Sequence, residues 1–211
     1  MDCVYVIAMP NRKLYMMEIM EKLGLPCIFV DATTPKDLTD TDYNRLTTRK
    51  DKKTWLAVHL SHMKCYHHAV KNNYKTVLVF EDDITVNTSL DQIVNSVEEF
   101  KISDFQVFLM GYCYLDCKQD FDRGYRYFTN VPDRNLSCSH ASVFKVDFLK
   151  KFIKDLKYPV SEAHDALIRD YFVKTGTKLC VPYTPFFVQN PELGTQNENY
   201  QNEQMLPYCT L

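Results

Sequence analysis

Thr76-Val77-Leu78-Val79-Phe80-Glu81-Asp82-Asp83-Ile84 decides how this chain is read. The β-branched and aromatic run from Thr76 to Phe80 has the composition of a strand buried on both faces. It ends in three adjacent carboxylates, which repel one another and bring the fold nothing without a counter-charge. In open α/β sheets the carboxyl ends of the strands are where ligands bind. Carboxylate oxygens are the hard ligands of Mg²⁺ and Mn²⁺, ions that often hold substrate phosphates at the same time. The stretch reads as a metal–diphosphate site. A solvated acidic turn is the plainer alternative, and the apolar strand before it argues against that. Residues i and i+2 of an extended segment point the same way. Glu81 and Asp83 are therefore the expected metal pair, with Asp83 the first choice of direct ligand. Asp82 should face the other side, to bind ribose or to order the loop.

Working outward, Cys3 to Ala8 and Cys27 to Val30 read as strands joined by a helix over Leu14 to Leu23 that stops at Gly24, a βαβ unit. Residues 35–53 show no periodicity and read as a surface loop. Leu56, Leu60, Met63, His67 and Val70 recur at helical spacing, predicting an amphipathic helix over Thr54 to Lys71 capped by Thr54. Beyond the acidic strand come a helix from Ser89 to about Phe100 and a strand from Phe105 to Met110. The Tyr-, Asp- and Arg-rich segment 112–137 has room for a hairpin. Helices over Val146 to Lys157 and Glu162 to Lys174, the second closed by Gly176, precede short strands at Lys178 to Val181 and Phe186 to Val188. The stretch 189–211 reads as a flexible polar tail, ordered only by a ligand if at all. Alternating strands and helices make an α/β fold. Neither Gly-x-Gly-x-x-Gly nor Walker A is present, so phosphate binding would rest on a metal and side chains.

At 211 residues and 45% hydrophobic the chain can bury one substantial core, as a single domain or as one module of a longer protein. A net charge of −2, from 25 Lys+Arg against 27 Asp+Glu, gives no electrostatic case for nucleic acid. No run is long enough for a membrane span. The N-terminus carries Asp2 where a signal peptide would carry basic residues, and its apolar run stops at Pro10, so the expectation is a soluble, cytoplasmic chain. The eight cysteines include no Cys-x-x-Cys pair and are expected as reduced, mostly buried thiols.

Two further clusters can carry chemistry. His59, His62, His67 and His68 crowd one helix, but the i, i+3 spacing without an intervening Glu is not a zinc pattern. Satisfied helix histidines, or one polar contact to a nucleotide, fit better. Glu162-Ala163-His164-Asp165 opens the late helix. Acidic residues there complement the helix dipole, and a carboxylate able to deprotonate an acceptor hydroxyl is the functional alternative. No Gly-x-Ser-x-Gly elbow supports a serine hydrolase.

Taken in order, these segments resemble glycosyltransferase family 25, which includes lipooligosaccharide and collagen galactosyltransferases. The resemblance is carried by Asn11-Arg12, Phe29-Val30-Asp31-Ala32, Ala57-Val58-His59-Leu60-Ser61-His62, Val79-Phe80-Glu81-Asp82-Asp83 and Phe108-Leu109-Met110-Gly111. Ser139-His140-Ala141-Ser142 matches a short polar segment before a helix, His164-Asp165 a Pro-Val-Asp position, and Pro185 to Gln189 a closing Pro-x-x-x-Gln. The family's second arginine after Asn11-Arg12 is missing, and the chain is shorter than typical members. The resemblance implies a GT-A fold, a mainly parallel mixed sheet flanked by helices with a Rossmann-like nucleotide-binding half. It also implies a nucleotide-sugar donor, usually UDP-linked, a glycan or glycoprotein acceptor, Mn²⁺ or Mg²⁺, and inversion at the anomeric carbon. Carried over, Asn11, Arg12, Asp31, Ala32, Ser61, His62, Asp82 and Gln189 would serve the nucleotide-sugar, with Asp31 and Ala32 near base or ribose. Glu81 and Asp83 would hold the metal and Asp165 would be the base. A nucleotidyltransferase or phosphohydrolase using the same carboxylates, and a non-catalytic sugar-nucleotide-binding domain, are the alternatives.

Overall fold

The structure, a computed structural model, describes residues 1–112, 138–182 and 184–193. The chain opens with β1 (Cys3–Ala8), α1 (Lys13–Lys22) and β2 (Ile28–Asp31), then α2 (Asp40–Leu46) and α3 (Lys53–Lys71). The acidic strand is β3 (Thr76–Phe80), followed by β4 (Ile84–Val86), α4 (Leu90–Ile102) and β5 (Val107–Gly111). After the gap come β6 (Ala141–Lys145), α5 (Val146–Asp155), α6 (His164–Thr175), β7 (Leu179–Cys180) and β8 (Phe187–Gln189).

Six strands form one sheet in the order β2-β1-β3-β6-β5-β7, and β4 pairs with β8 in a separate ribbon. β1 runs parallel to β2 and β3, and β5 parallel to β7, while β6 lies antiparallel between β3 and β5. This is the mixed, mainly parallel sheet expected. Strand alternation sends Val77 and Val79 to one face, against Met63, Tyr66, Phe148 and Phe172 of α3, α5 and α6. Leu78 and Phe80 go to the other face, against Met16 and Met20 of α1 and Ile93, Val97 and Phe100 of α4. All five residues of β3 are buried, which a strand covered on both faces requires. Each large side chain there is worth about 1.5–3 kcal/mol of hydrophobic burial.

Local chemistry explains the boundaries. Ser89 Oγ accepts the Gln92 N–H and caps α4 as expected, and Gly176 ends α6 at φ 63°. The expected surface loop over 35–53 instead contains α2, started by a reciprocal capping box between Thr39 and Asp42. Thr54 lies inside α3 rather than capping it; Lys52 holds that position without a side-chain bond. The segment 139–142 is not merely polar: it runs into β6, at the centre of the sheet. Gln189 belongs to β8, and Pro191–Leu193 form a 3-10 turn, so the expected flexible tail does not begin there. Residues 194–211 and the hairpin expected within 113–137 lie outside the described residues. Cys3, Cys27, Cys65 and Cys180 are free thiols, whereas Cys138 is disulfide-bonded, against the expectation of reduced cysteines throughout. Among the described residues no helix is long and apolar enough to cross a membrane.

The inward stripe of α3 is rotated from the expected one. His67 is exposed, and His59, His62 and Tyr66 are buried. These polar rings are tolerated inside because they bond to one another. The Tyr66 hydroxyl meets His164 Nε2 at 2.9 Å, His164 Nδ1 meets His59 Nδ1 at 3.1 Å, and His59 Nε2 meets the half-exposed Tyr158 hydroxyl at 3.0 Å. Tyr66 is fully buried, and His164 is the acceptor within its reach. The Tyr66 O–H therefore donates to His164, His164 Nδ1–H to His59, and His59 Nε2–H to Tyr158.

Burial holds these imidazoles neutral. It pushes His59 down to about 4 and His164 well below its usual value, with repulsion from the neighbouring histidines adding to both. Above pH ~6.5, the value for an unfolded histidine, their contribution to stability is fully present. As pH falls from ~6.5 towards the folded value, the unfolded chain binds protons that the buried rings refuse. Each ring then loses up to ~1.4 kcal/mol per pH unit. The melting temperature is expected to fall steadily between about pH 7 and about pH 5. A constant melting temperature across that window contradicts the buried neutral cluster.

Candidate active site

The parallel strands β1, β2 and β3 deliver their carboxyl ends to one edge of the sheet, where Met9 to Arg12, Asp31 to Thr33 and Glu81 to Asp83 lie. The chain does not stay extended after Phe80. It turns at Asp82-Asp83 into β4, so the three carboxylates diverge instead of alternating as the i, i+2 reading assumed.

Each carboxylate meets a different environment. Glu81 Oε1 accepts a hydrogen bond from His62 Nε2 of α3 at 3.0 Å. Burial pushes Glu81 up, but the bond to His62 and the proximity of the His62 and His140 rings outweigh it and leave Glu81 below its usual value. Asp82 Oδ2 accepts the Met9 N–H at 2.5 Å, and its Oδ1 accepts from the Arg12 guanidinium at 2.9 Å. Arg12 also donates to the Leu193 carbonyl at 3.0 Å. Asp82 thus ties the end of β3 to the turn after β1. The side chains of Arg12 and Asp82 are only 12% and 11% exposed, so breaking this pair would strand a buried charge.

Asp83 is different. Among the described residues its Oδ1 is buried with no hydrogen-bond partner, and its Oδ2 receives a 3.3 Å contact from Gln189 Nε2. The short β4–β8 ribbon pairs Ile84 with Gln189, and the Asn190 N–H closes on the Asp83 carbonyl at 2.5 Å. Burial, then repulsion from Glu81 and Asp82, push Asp83 up to about 7, with Arg12 acting in the opposite sense. Asp83 is therefore the carboxylate with coordination capacity to spare, whereas both oxygens of Asp82 are engaged.

The remaining expected residues fall around the same edge with varied roles. Asn11 is exposed in the turn before α1. Asp31 has an exposed side chain and a carbonyl that accepts from Lys64 Nζ at 3.1 Å, and the Ala32 N–H donates to the Ala8 carbonyl at 3.1 Å. The Ser61 hydroxyl is fully used inside the protein, accepting the Thr33 N–H at 2.8 Å and donating to the Ala57 carbonyl at 2.9 Å. Asp165 opens α6. Its Oδ2 accepts the Cys138 N–H at 2.8 Å and its Oδ1 the Ala166 N–H at 2.9 Å. His164, one residue earlier, stacks on His62 with centroids 4.2 Å apart.

Two residues of the site escaped the sequence reading as individuals. His140 is fully buried at the start of β6, where its Nε2–H donates to the Phe187 carbonyl at 3.0 Å. It sits so close to Gly111 that a Cβ there would overlap the ring. Thr33 lies in the loop leaving β2. Among the described residues the buried side-chain polar atoms without a partner are Thr33 Oγ1, His62 Nδ1, Asp83 Oδ1 and His140 Nδ1. Thr33 follows β2, His62 bonds Glu81, Asp83 follows β3, and His140 precedes the strand paired with β3. Unsatisfied buried polar atoms cost stability and are rare in folded proteins. Their confinement to one edge marks that edge as the place arranged for something other than folding.

The fold is similar to that of a glycosyltransferase involved in the glycosylation of the major capsid of PBCV-1, at 10% identity and a TM-score of 0.48 over 89% of this chain and 94% of that one. A second similar structure is a 4-diphosphocytidyl-2C-methyl-D-erythritol synthase from Anaerococcus prevotii, at 12% identity and a TM-score of 0.40 over 86% of this chain and 71% of that one. No curated protein sequence matches the chain. Residues 1–163 match glycosyltransferase family 25 (LPS biosynthesis protein), a span that takes in β1 to β6 and every residue of the acidic turn, and the chain belongs to that family.

Proposed function

We propose that this glycosyltransferase moves a sugar from a UDP-linked donor to a hydroxyl of a glycan or glycoprotein acceptor, with a divalent ion, Mn²⁺ or Mg²⁺, held at Asp83. The observation that carries the proposal is the unpartnered, buried Asp83 Oδ1 at the carboxyl edge of the parallel strands. The residues fit such an ion. Asp83 offers an open oxygen, and Glu81 stands beside it with one oxygen committed to His62. Among the described residues no three His, Cys, Asp or Glu side chains converge as a closed cage. One or two carboxylates suit an ion that takes its other ligands from phosphate and water. When bound, the ion would supply positive charge against the leaving diphosphate, worth several kcal/mol in the transition state.

The chain's own residues do the rest in this reading. His62 fixes Glu81, while Arg12 and the Met9 N–H hold Asp82 and so hold the turn that presents Asp83. Gln189 reaches the same carboxylate from β8. Asp165 is the base we assign to the acceptor hydroxyl, for a transfer with inversion. Two backbone N–H groups, of Cys138 and Ala166, orient its carboxylate. A cytoplasmic location belongs to the same proposal. The four free thiols among the described residues support it, and the disulfide at Cys138 is the observation against it.

UDP is expected to raise the melting temperature when Mn²⁺ is present and not when EDTA replaces it, with ~2.7 kcal/mol of added stability at a hundred times the dissociation constant. Asp83→Asn should abolish transfer and the Mn²⁺-dependent shift without lowering the metal-free melting temperature, because it removes one of three repelling charges. Equal UDP shifts in Mn²⁺ and EDTA, or an active Asp83→Asn, would refute the ion at Asp83.

Asp165→Asn is expected to slow transfer by ~10²–10⁴ while leaving Mn²⁺-dependent UDP binding unchanged. Loss of UDP binding to the same degree would make Asp165 a donor contact. A product that keeps the donor's anomeric configuration would remove the need for the base.

A further inference from the structure

Two side chains at the start of α1 hold the residues on either side of Asp83. Arg12 donates to Asp82 Oδ1 at 2.9 Å and to the Leu193 carbonyl at 3.0 Å. Tyr15, three residues on and so on the same face of the helix, makes a matching pair of contacts. Its hydroxyl donates to the Ile84 carbonyl at 2.8 Å and accepts from Asn190 Nδ2 at 3.1 Å. Each side chain thus fastens one neighbour of Asp83 and one point on the segment 190–193. The Tyr15 ring packs against the core layer that contains Met16, Ile84 and Phe187, which fixes where its hydroxyl can sit.

The two strands that Tyr15 joins are the ones that place the Asp83 carboxylate. Ile84 pairs with Gln189 across the β4–β8 ribbon. Gln189 Nε2 reaches Asp83 Oδ2 at 3.3 Å, and the Asn190 N–H closes on the Asp83 carbonyl at 2.5 Å. The Tyr15 hydroxyl therefore bridges the residue after Asp83 to the residue after Gln189. Each strand of the ribbon is three residues long, and so short a two-stranded ribbon holds its shape poorly by itself. A cross-link from a packed helix removes that freedom at the point where the ribbon meets Asp83. The geometry points to Tyr15 as a positioning residue for the divalent ion, its hydroxyl fixing the direction of the Asp83 carboxylate without touching the ion. This role rests on the reading of Asp83 as the ion's ligand, and it adds an uncharged residue from a different element. Hydrogen-bonding groups that orient a metal's ligands commonly change its affinity ~10–100-fold. Tyr15 acts through the backbone next to the ligand, so the lower end of that range is expected.

The test measures Mn²⁺ binding to the full chain, with no donor present, from the electron paramagnetic resonance signal of the free ion. Metal-free melting temperatures are recorded alongside. The variants are Tyr15→Phe, Tyr43→Phe and Asp83→Asn. Tyr43 serves for comparison because its hydroxyl also donates to a carbonyl, that of Pro35 at 3.1 Å, from α2 and outside the acidic turn. Tyr15→Phe is expected to bind Mn²⁺ about ten-fold more weakly and to reach the same occupancy when about ten-fold more ion is supplied. Tyr43→Phe should lower the melting temperature about as much as Tyr15→Phe does, since each loses a hydroxyl hydrogen bond, yet bind Mn²⁺ normally. Should Tyr15→Phe fail to fold, Asn190→Ala removes the same bond from the β8 side and carries the same expected loss. The positioning role is overturned if Tyr15→Phe binds Mn²⁺ as the unsubstituted chain does. It is overturned equally if Tyr43→Phe weakens Mn²⁺ to the same degree, because the loss would then come from general softening. If the unsubstituted chain binds no Mn²⁺, or Asp83→Asn binds it just as tightly, the reading of Asp83 as the ligand falls and this role with it. Binding that Asp83→Asn abolishes and Tyr15→Phe leaves unchanged refutes the role of Tyr15 alone.

Discussion

Three carboxylates at successive positions, Glu81, Asp82 and Asp83, end a strand with no exposed residue, and the surroundings must accommodate their mutual repulsion. The protein compensates two of them and not the third. Glu81 is tied to α3 through His62, and Asp82 to the turn after β1 through Arg12 and the Met9 N–H. Those two ties join separate elements and so set the shape of the sheet edge. Asp83 is held only by a long contact from Gln189 and by its backbone, with burial and its neighbours pushing its carboxyl up to about 7. A fold selected for stability alone would replace such a group. Under the proposed function, a bound divalent ion supplies the counter-charge that Asp83 lacks.

Much of the molecule serves to frame that turn. The parallel pairing of β1 with β2 and β3 sends three chain turns to the same edge. The antiparallel β6 brings His140 in from the other direction, where its bond to the Phe187 carbonyl holds the β4–β8 ribbon against the sheet. Behind Glu81, the stacked pair His62–His164 joins α3 to α6. Through it the acidic turn is backed by the buried chain Tyr66–His164–His59–Tyr158. The site is therefore stiff on the α3 side, and its unsatisfied atoms face the edge where the parallel strands end.

The acidic strand, the βαβ opening and the two late helices were legible because hydrophobic periodicity and caps such as Ser89 and Gly176 are local signals. The Thr39–Asp42 capping box was a local signal too, overlooked because α2 is only seven residues long and carries no apolar period. β6 was not legible. Ser142 and His140 are polar, and only the long-range pairing of Val77 to Phe80 with Ala141 to Phe144 makes that segment a central strand. The acidic motif announced a site, but not the division of labour within it. Which carboxylate is free depends on the turn at Asp82 and on partners 70 or more residues distant for Asp82 and 106 for Asp83, none of which spacing reveals. The histidine chain was hidden for the same reason, since half of it lies in α3 and half beyond residue 157.

A crystal structure of the protein with UDP and Mn²⁺, read by the anomalous signal of manganese, tests the central claim most directly. The account predicts a manganese peak bonded to Asp83 Oδ1 and to both phosphates, with Asp82 still held by Arg12 and the Met9 N–H. Manganese bound elsewhere, or a diphosphate seated away from the end of β3 with Asp83 still contacting only Gln189, would contradict it.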